Sequence, residues 1–196
     1  MSRETRTVRA YAPESAIELR DGDKPVISGY AAVFDSLSVD LGGFRERIRP
    51  GAFARAIKEN QDVRALVNHD PNLILGRSKS GTLRLSEDQR GLRVEIDPPA
   101  TTVGRDVVES LRRGDLDQMS FAFRVVTDDW HKQDGEIIRE LVDVDLFDVS
   151  PVAFPAYEET SVSVRSKVEE LSKPAVPPPS VFTERDLRRL QLAEKS

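Results

Sequence analysis

A serine hydroxyl becomes a useful nucleophile at neutral pH only beside a base, and histidine, with a reference pKa of about 6.5, is the usual one. The chain offers two histidines, His69 and His131, and no cysteine, so a thiolate nucleophile is excluded. His69 stands in VNHDPN, at the end of a short apolar run where a side chain is both positioned and exposed. His131 stands among Asp128, Asp129, Trp130 and Lys132, in what reads as a hairpin loop. His69 is the better base. Its natural partner is Ser120, in MSFAFRVV, and the chemistry the pair permits is acyl transfer through a hydroxyl activated by an imidazole. On spacing alone a plainer reading stands beside this one: His-Asp-Pro as a turn device with Asp70 bonding local backbone, and Ser120 as a structural strand serine.

The elements that must position these residues follow from periodicity. In MSFAFRVV, Met119, Phe121 and Phe123 alternate with Ser120, Ala122 and Arg124, so a strand places the hydroxyl on a small-residue face, away from the bulky side chains. VRALVN, residues 63–68, predicts a short strand ending at His69, with LILGRS following Pro71 and Asn72. VISGYAAVF, residues 26–34, predicts a strand with a bulge or close approach at Gly29. GTLRLSEDQRGLRVEI predicts a hairpin, since Leu83 and Leu85, then Leu92, Val94 and Ile96, alternate with polar residues. A short helix is predicted after Pro50-Gly51, with Phe53 and Ile57 on one side. A longer helix starts at Thr101 or Thr102, buries Val103, Val107, Val108 and Leu111, and ends at Gly114. Residues 137–149 predict a strand paired through Asp134-Gly135, and SVSVR, residues 161–165, a last strand of the core. The fold class is therefore α+β, a small and mostly antiparallel β-barrel surrounded by helices.

The chain has 196 residues, enough for one core and a tail. The expected organisation is an N-terminal lead-in over 1–25, a core over 26–166, a Pro-rich linker over 167–182 and a helical tail over 183–196. A net charge of -5 offers no broad cationic surface, which argues against nucleic acid as partner. Two histidines cannot build a multi-histidine metal site, and no metal or cofactor is expected. No apolar run approaches the ~20 residues that span a bilayer, and the opening MSRETRTVRAYAPES lacks a secretory apolar stretch. The expectation is a cytoplasmic protein with no membrane partner.

Four strings in one order add to this reading: PGAF at 50–53, NHD at 68–70 with LGR at 75–77, GDLDQMSFAFRV at 114–125 and LFDVSPVAFPAY at 146–157. Together they resemble the prohead protease family of tailed bacteriophages, and the resemblance runs from about Val26 to Arg165. It implies a fold similar to the herpesvirus assemblin proteases, a serine endopeptidase, and capsid-protein and scaffold segments as substrates inside the assembling prohead of a bacterial host. It also implies a homodimer. The resemblance carries the nucleophile to Ser120 and the base to His69. For the third member, the family motif L-x-E-V-S corresponds to Leu146-Phe147-Asp148-Val149-Ser150, which points to Asp148, with Asp145 as the alternative in the same strand. Arg77 and Arg139 are alternative aids to an oxyanion, and salt bridging is the other reading of each. PGAF and SPVAFPAY read as structural turns. A rival of a different class is a silent scaffold or assembly protein that keeps the protease fold. The linker and tail favour it; retention of all three candidate residues favours the enzyme.

Overall fold

Strands dominate because alternating apolar residues give each one a face to bury. The computed structural model describes residues 7–9, 17–20, 22, 24–153 and 168–172. In chain order these residues form β1 (Thr7–Arg9), β2 (Ile17–Arg20), β3 (Val26–Val33), β4 (Arg45–Ile48), α1 (Ala54–Lys58), β5 (Arg64–Val67) and β6 (Asp70–Arg77). They continue with β7 (Leu83–Glu87), β8 (Gly91–Ile96), α2 (Thr102–Arg113), β9 (Gln118–Gln133) and β10 (Glu136–Val152).

The strands make two sheets rather than the single closed barrel expected from the sequence. One runs β1-β9-β10-β5-β6 with β4 also on β10, and the other runs β2-β3-β8-β7. Alternation establishes that a strand has a buried face; it does not specify which edges meet, and closure is a property of edges. The class is mixed α+β, mostly strand with few helices.

The apolar faces of both sheets share one core, with Ile27, Leu92, Val94 and Ile96 from one and Ala65, Phe121, Leu146 and Val149 from the other. Phe53 bridges them, its ring 5.5 Å from that of Phe121 and 6.3 Å from that of Phe34. It is fully buried, so its truncation to alanine would cost about 3–5 kcal/mol. Pro50-Gly51 and Phe53 are thus structural, as the sequence implied. At Gly91 a Cβ would stand 2.0 Å from the Ala32 carbonyl oxygen, so the β3–β8 contact excludes any side chain there. The bulge of β3 falls between Tyr30 and Ala32, just beyond the Gly29 expected from the sequence.

The spine of the larger sheet is the β9–β10 hairpin, longer than the usual strand range of about 3–10 residues. On the edge of β10 away from β9, β4 pairs in parallel with Ile138 to Leu141, and β5 pairs in parallel with Asp148 and Val149. The PGAF turn and α1 occupy the gap between them. There the Val144 amide donates to Ala52 O at 3.2 Å, and the Leu146 amide donates to Gln61 Oε1 at 2.9 Å. These bonds give two amides in that gap of the β10 edge a partner, as buried backbone requires.

Helix α2 begins as read: the Gly104 amide donates to the Thr101 side chain, and Gly114 closes the helix in the left-handed region. Three features depart from the sequence reading. His131 lies within β9, paired opposite Ile138, and not in a loop. Strands β1 and β2, inside the segment read as a lead-in, pair with β9 and β3. Residues 168–172, at the start of the segment read as a linker, form a helical turn in which Ser172 donates to Val168 O at 2.7 Å. The expected strand over 161–165, the Phe154 to Tyr157 turn, residues 173–182 and the tail over 183–196 lie outside the described residues. No helix among the described residues is long and apolar enough to cross a membrane.

Candidate active site

The parity of β9 and β10 assembles the polar face opposite the aromatic core. Ser120 pairs with Ser150 and Ala122 with Asp148, and residues directly opposite one another share a face. Phe147 is an extra residue in β10, because Leu146 pairs with Phe123 while Asp148 pairs with Ala122. This bulge resets the parity, so that Asp145, paired with Arg124, and Asp148 both reach the face of Ser120.

The remaining member arrives from the β5–β6 connection. Val67 pairs with Asp70, and between them Asn68 and His69 both have positive φ, +50° and +59°. Two consecutive left-handed residues are what a tight type I′ hairpin requires. Asn and His tolerate that region better than branched residues do. Asn68 also ties the turn to the end of β10: its amide donates to Pro151 O at 3.0 Å, and its Oδ1 accepts from the Ala153 amide at 2.9 Å. The turn therefore hangs over the strand ends, and the imidazole reaches both carboxylate and hydroxyl.

His69 Nδ1 lies 2.6 Å from Asp148 Oδ1, and His69 Nε2 lies 2.7 Å from Ser120 Oγ. An ionised carboxylate only accepts, so Nδ1 carries the proton and Nε2 is left to accept from the Ser120 hydroxyl. Ser150 Oγ donates to the same Asp148 Oδ1 at 3.0 Å. The set is secluded: Ser120 is 0% exposed, and the His69 and Asp148 side chains are 11% and 4% exposed. The small-residue face that carries Ser120 is thus covered.

Asp145 is engaged elsewhere. Arg55 Nη2 and Gln61 Nε2 donate to its Oδ1 at 2.7 and 2.8 Å, and Arg124 binds its Oδ2. Burial alone would raise its pKa, but the hydrogen bonds from Arg55, Arg124 and Gln61 outweigh burial and hold the carboxyl at about 2. Arg77 is bound by Asp62 through two contacts of 2.6 Å, and Arg139 by Glu46 and Asp128 beneath Trp130. Both arginines follow the salt-bridge reading. Asp129, His131 and Glu140 place one ligand atom each within 4.8 Å of one another. Glu140 is already paired with Arg47 and Arg49, so guanidinium supplies the positive charge of that cluster.

Sequence reasoning assigned no role to Asn68 or Ser150. The Asn68 signal was present in the Asn-His pair, a turn combination. That of Ser150 lay in its i+2 spacing from Asp148, which in a strand sets both on one face.

A family model described as caudovirus prohead serine protease matches residues 12–174. Among solved structures, the bacteriophage T4 capsid assembly protease is similar in fold, with a TM-score of 0.53 at 11% identity over 75% of this chain and 96% of that one. No curated protein sequence matches the chain.

Proposed function

The chain belongs to the caudovirus prohead serine protease family, and on that premise we propose that it is a serine endopeptidase with Ser120 as nucleophile, His69 as general base and Asp148 as the group that orients and stabilises the imidazole. The observation that carries the proposal is the unbroken pair of hydrogen bonds from Asp148 through His69 to Ser120. Geometry of this kind lets His69 Nε2 take the hydroxyl proton as Oγ attacks a peptide carbonyl. The same nitrogen then returns the proton to the departing amine, and water releases the acyl group by the reverse sequence. The carboxylate beside Nδ1 favours the tautomer this requires and offsets the charge that forms on the ring.

Segments of the major capsid protein and scaffold, cut inside the assembling prohead in the bacterial cytoplasm, are the substrates we assign, and a homodimer is the working unit. In this reading residues 26–166 hold the protease, 167–182 a linker and 183–196 a helical tail, and the residues beyond about Lys167 recruit the protease to the shell and are trimmed by self-cleavage. Ser120→Ala decides the central point. The variant should melt like the wild type and leave co-expressed capsid and scaffold proteins uncut; shortened products from purified Ser120→Ala protein would refute the assignment. Intact mass addresses the tail, since masses of wild type and variant that differ only by the oxygen atom lost in the substitution would exclude self-cleavage.

A further inference from the structure

Ser150 is fully buried and lies directly across the β9–β10 ladder from Ser120, a pairing that brings Cβ atoms to about 4.5–5.5 Å. Its hydroxyl donates to Asp148 Oδ1 at 3.0 Å, onto the oxygen that also accepts His69 Nδ1–H at 2.6 Å. Two donors converging on one oxygen restrict rotation of the carboxyl group about its own bond. Aspartate has a short reach, so its usefulness to His69 depends on that rotation. The carboxylate is also nearly stripped of water, and a buried charge depends on fixed donors to stay ionised.

We propose that Ser150 is a positioning residue for acyl transfer, fixing the rotamer and the charge of Asp148 so that Asp148 in turn fixes His69. The inference rests on the triad assigned above. It distinguishes Ser150 from a buried hydroxyl that has merely found an acceptor, because loss of the donor would alter the protonation of the Asp148–His69 pair. The hydroxyl stabilises the state in which Asp148 is charged and His69 neutral more than the state in which the pair holds another proton. Without it, the pair titrates at higher pH. Other charges near Asp148 on neighbouring strands are Arg64, its partner on β5, with Asp62 beside it, and Arg124 on β9, bound to Asp145. None of these is changed by substitution at Ser150.

The test uses the full chain and a small fluorophosphonate, whose attachment to Ser120 is followed by intact mass at probe concentrations where labelling is second order. Rates are taken from about pH 5 to about pH 9 for wild type, Ser150→Ala, Ser150→Thr and Ser120→Ala. Ser150→Ala should label about tenfold more slowly, with its acid limb moved up by about half a pH unit or more, and Ser150→Thr should recover most of both. Melting temperatures identify any variant that has lost the fold. If Thr proves too large, Ser150→Cys is a smaller enlargement with a weaker donor, and its rate should fall between those of Ser and Ala. A wild-type rate and acid limb in Ser150→Ala would overturn the inference. So would a slower rate with an unmoved acid limb, the mark of a packing role only. Labelling of Ser120→Ala at the wild-type rate would instead refute the triad itself.

Discussion

Asp145 and Asp148 occupy the same face of β10 in opposite surroundings: one is locked by Arg55, Arg124 and Gln61, the other faces His69. Asparagine at each position separates their roles. Asp148→Asn removes the charge that sets the His69 tautomer, and a drop in Ser120 labelling of about 10³–10⁴ is expected, as in the best-known triad. Asp145→Asn should leave labelling within about threefold and change acid stability instead. Its folded-state pKa of about 2 lies below its ordinary 3.8, so the native state binds fewer protons than the unfolded chain between these values. The stabilisation is complete above about pH 4 and disappears as pH falls through about 2. It amounts to about 1–2 kcal/mol after allowance for solvent screening. Melting curves of wild type and Asp145→Asn should therefore differ at pH 5 to 7 and converge towards about pH 2; a gap that stays constant would show that the ion pairs contribute nothing through proton linkage. The family motif pointed to Asp148, but alternation alone could not show that both carboxylates share the face of Ser120, because that turns on one residue, Phe147. Without that bulge strict alternation would put Asp145 and Asp148 on opposite faces, and nothing local to Leu146-Phe147-Asp148 marks the extra residue.

At the scale of elements, the β5–β6 hairpin acts as an arm whose angle is set by Asn68. Its conformation comes from two left-handed residues, and its attachment to β10 from the Asn68 bonds with Pro151 and Ala153. Asn68→Gly separates these functions, since glycine accepts positive φ freely but cannot bind the Ala153 amide. The fold should survive with a melting temperature a few degrees lower, while Ser120 labelling falls by about tenfold as the arm loosens. Unchanged labelling would mean that the turn geometry alone places His69. Elements whose signals are local were readable: the Thr101 cap and Gly114 stop of α2, the β7–β8 hairpin, and the alternation that put Ser120 opposite Phe121 and Phe123. Elements whose identity depends on a distant partner were not. Residues 7–9 and 17–20 are too short to declare themselves as strands, and they become strands by pairing with β9 and β3. The parallel placement of β4 and β5 along one edge of β10 is likewise a long-range outcome, prepared by the PGAF turn and α1 but not written in their periodicity.

For the whole molecule, the notable fact is that the candidate nucleophile is fully buried while its hydrogen bonds are already made. The site is thus organised before a substrate arrives, and access is the step that remains. If Ser120 is the nucleophile, a peptide carbonyl cannot reach Oγ at zero exposure, and the proposed reaction requires an opening step before it. This has a kinetic signature. At low fluorophosphonate concentration the labelling rate should rise linearly, with a slope reduced by the open fraction. At high concentration it should level off at the opening rate, independent of the probe. Mild urea, below the unfolding transition, should raise the low-concentration slope by shifting the equilibrium towards the open form. A rate that stays linear in probe and falls with urea would mean that Ser120 is reached without any opening. Burial of the nucleophile would then play no part in holding back the reaction. If the plateau appears, its height can be compared between the isolated chain and the chain co-assembled with capsid and scaffold proteins. A higher plateau in the assembly would locate the control of proteolysis in the opening step, because Asp148, His69 and Ser120 are already within hydrogen-bond reach of one another before it.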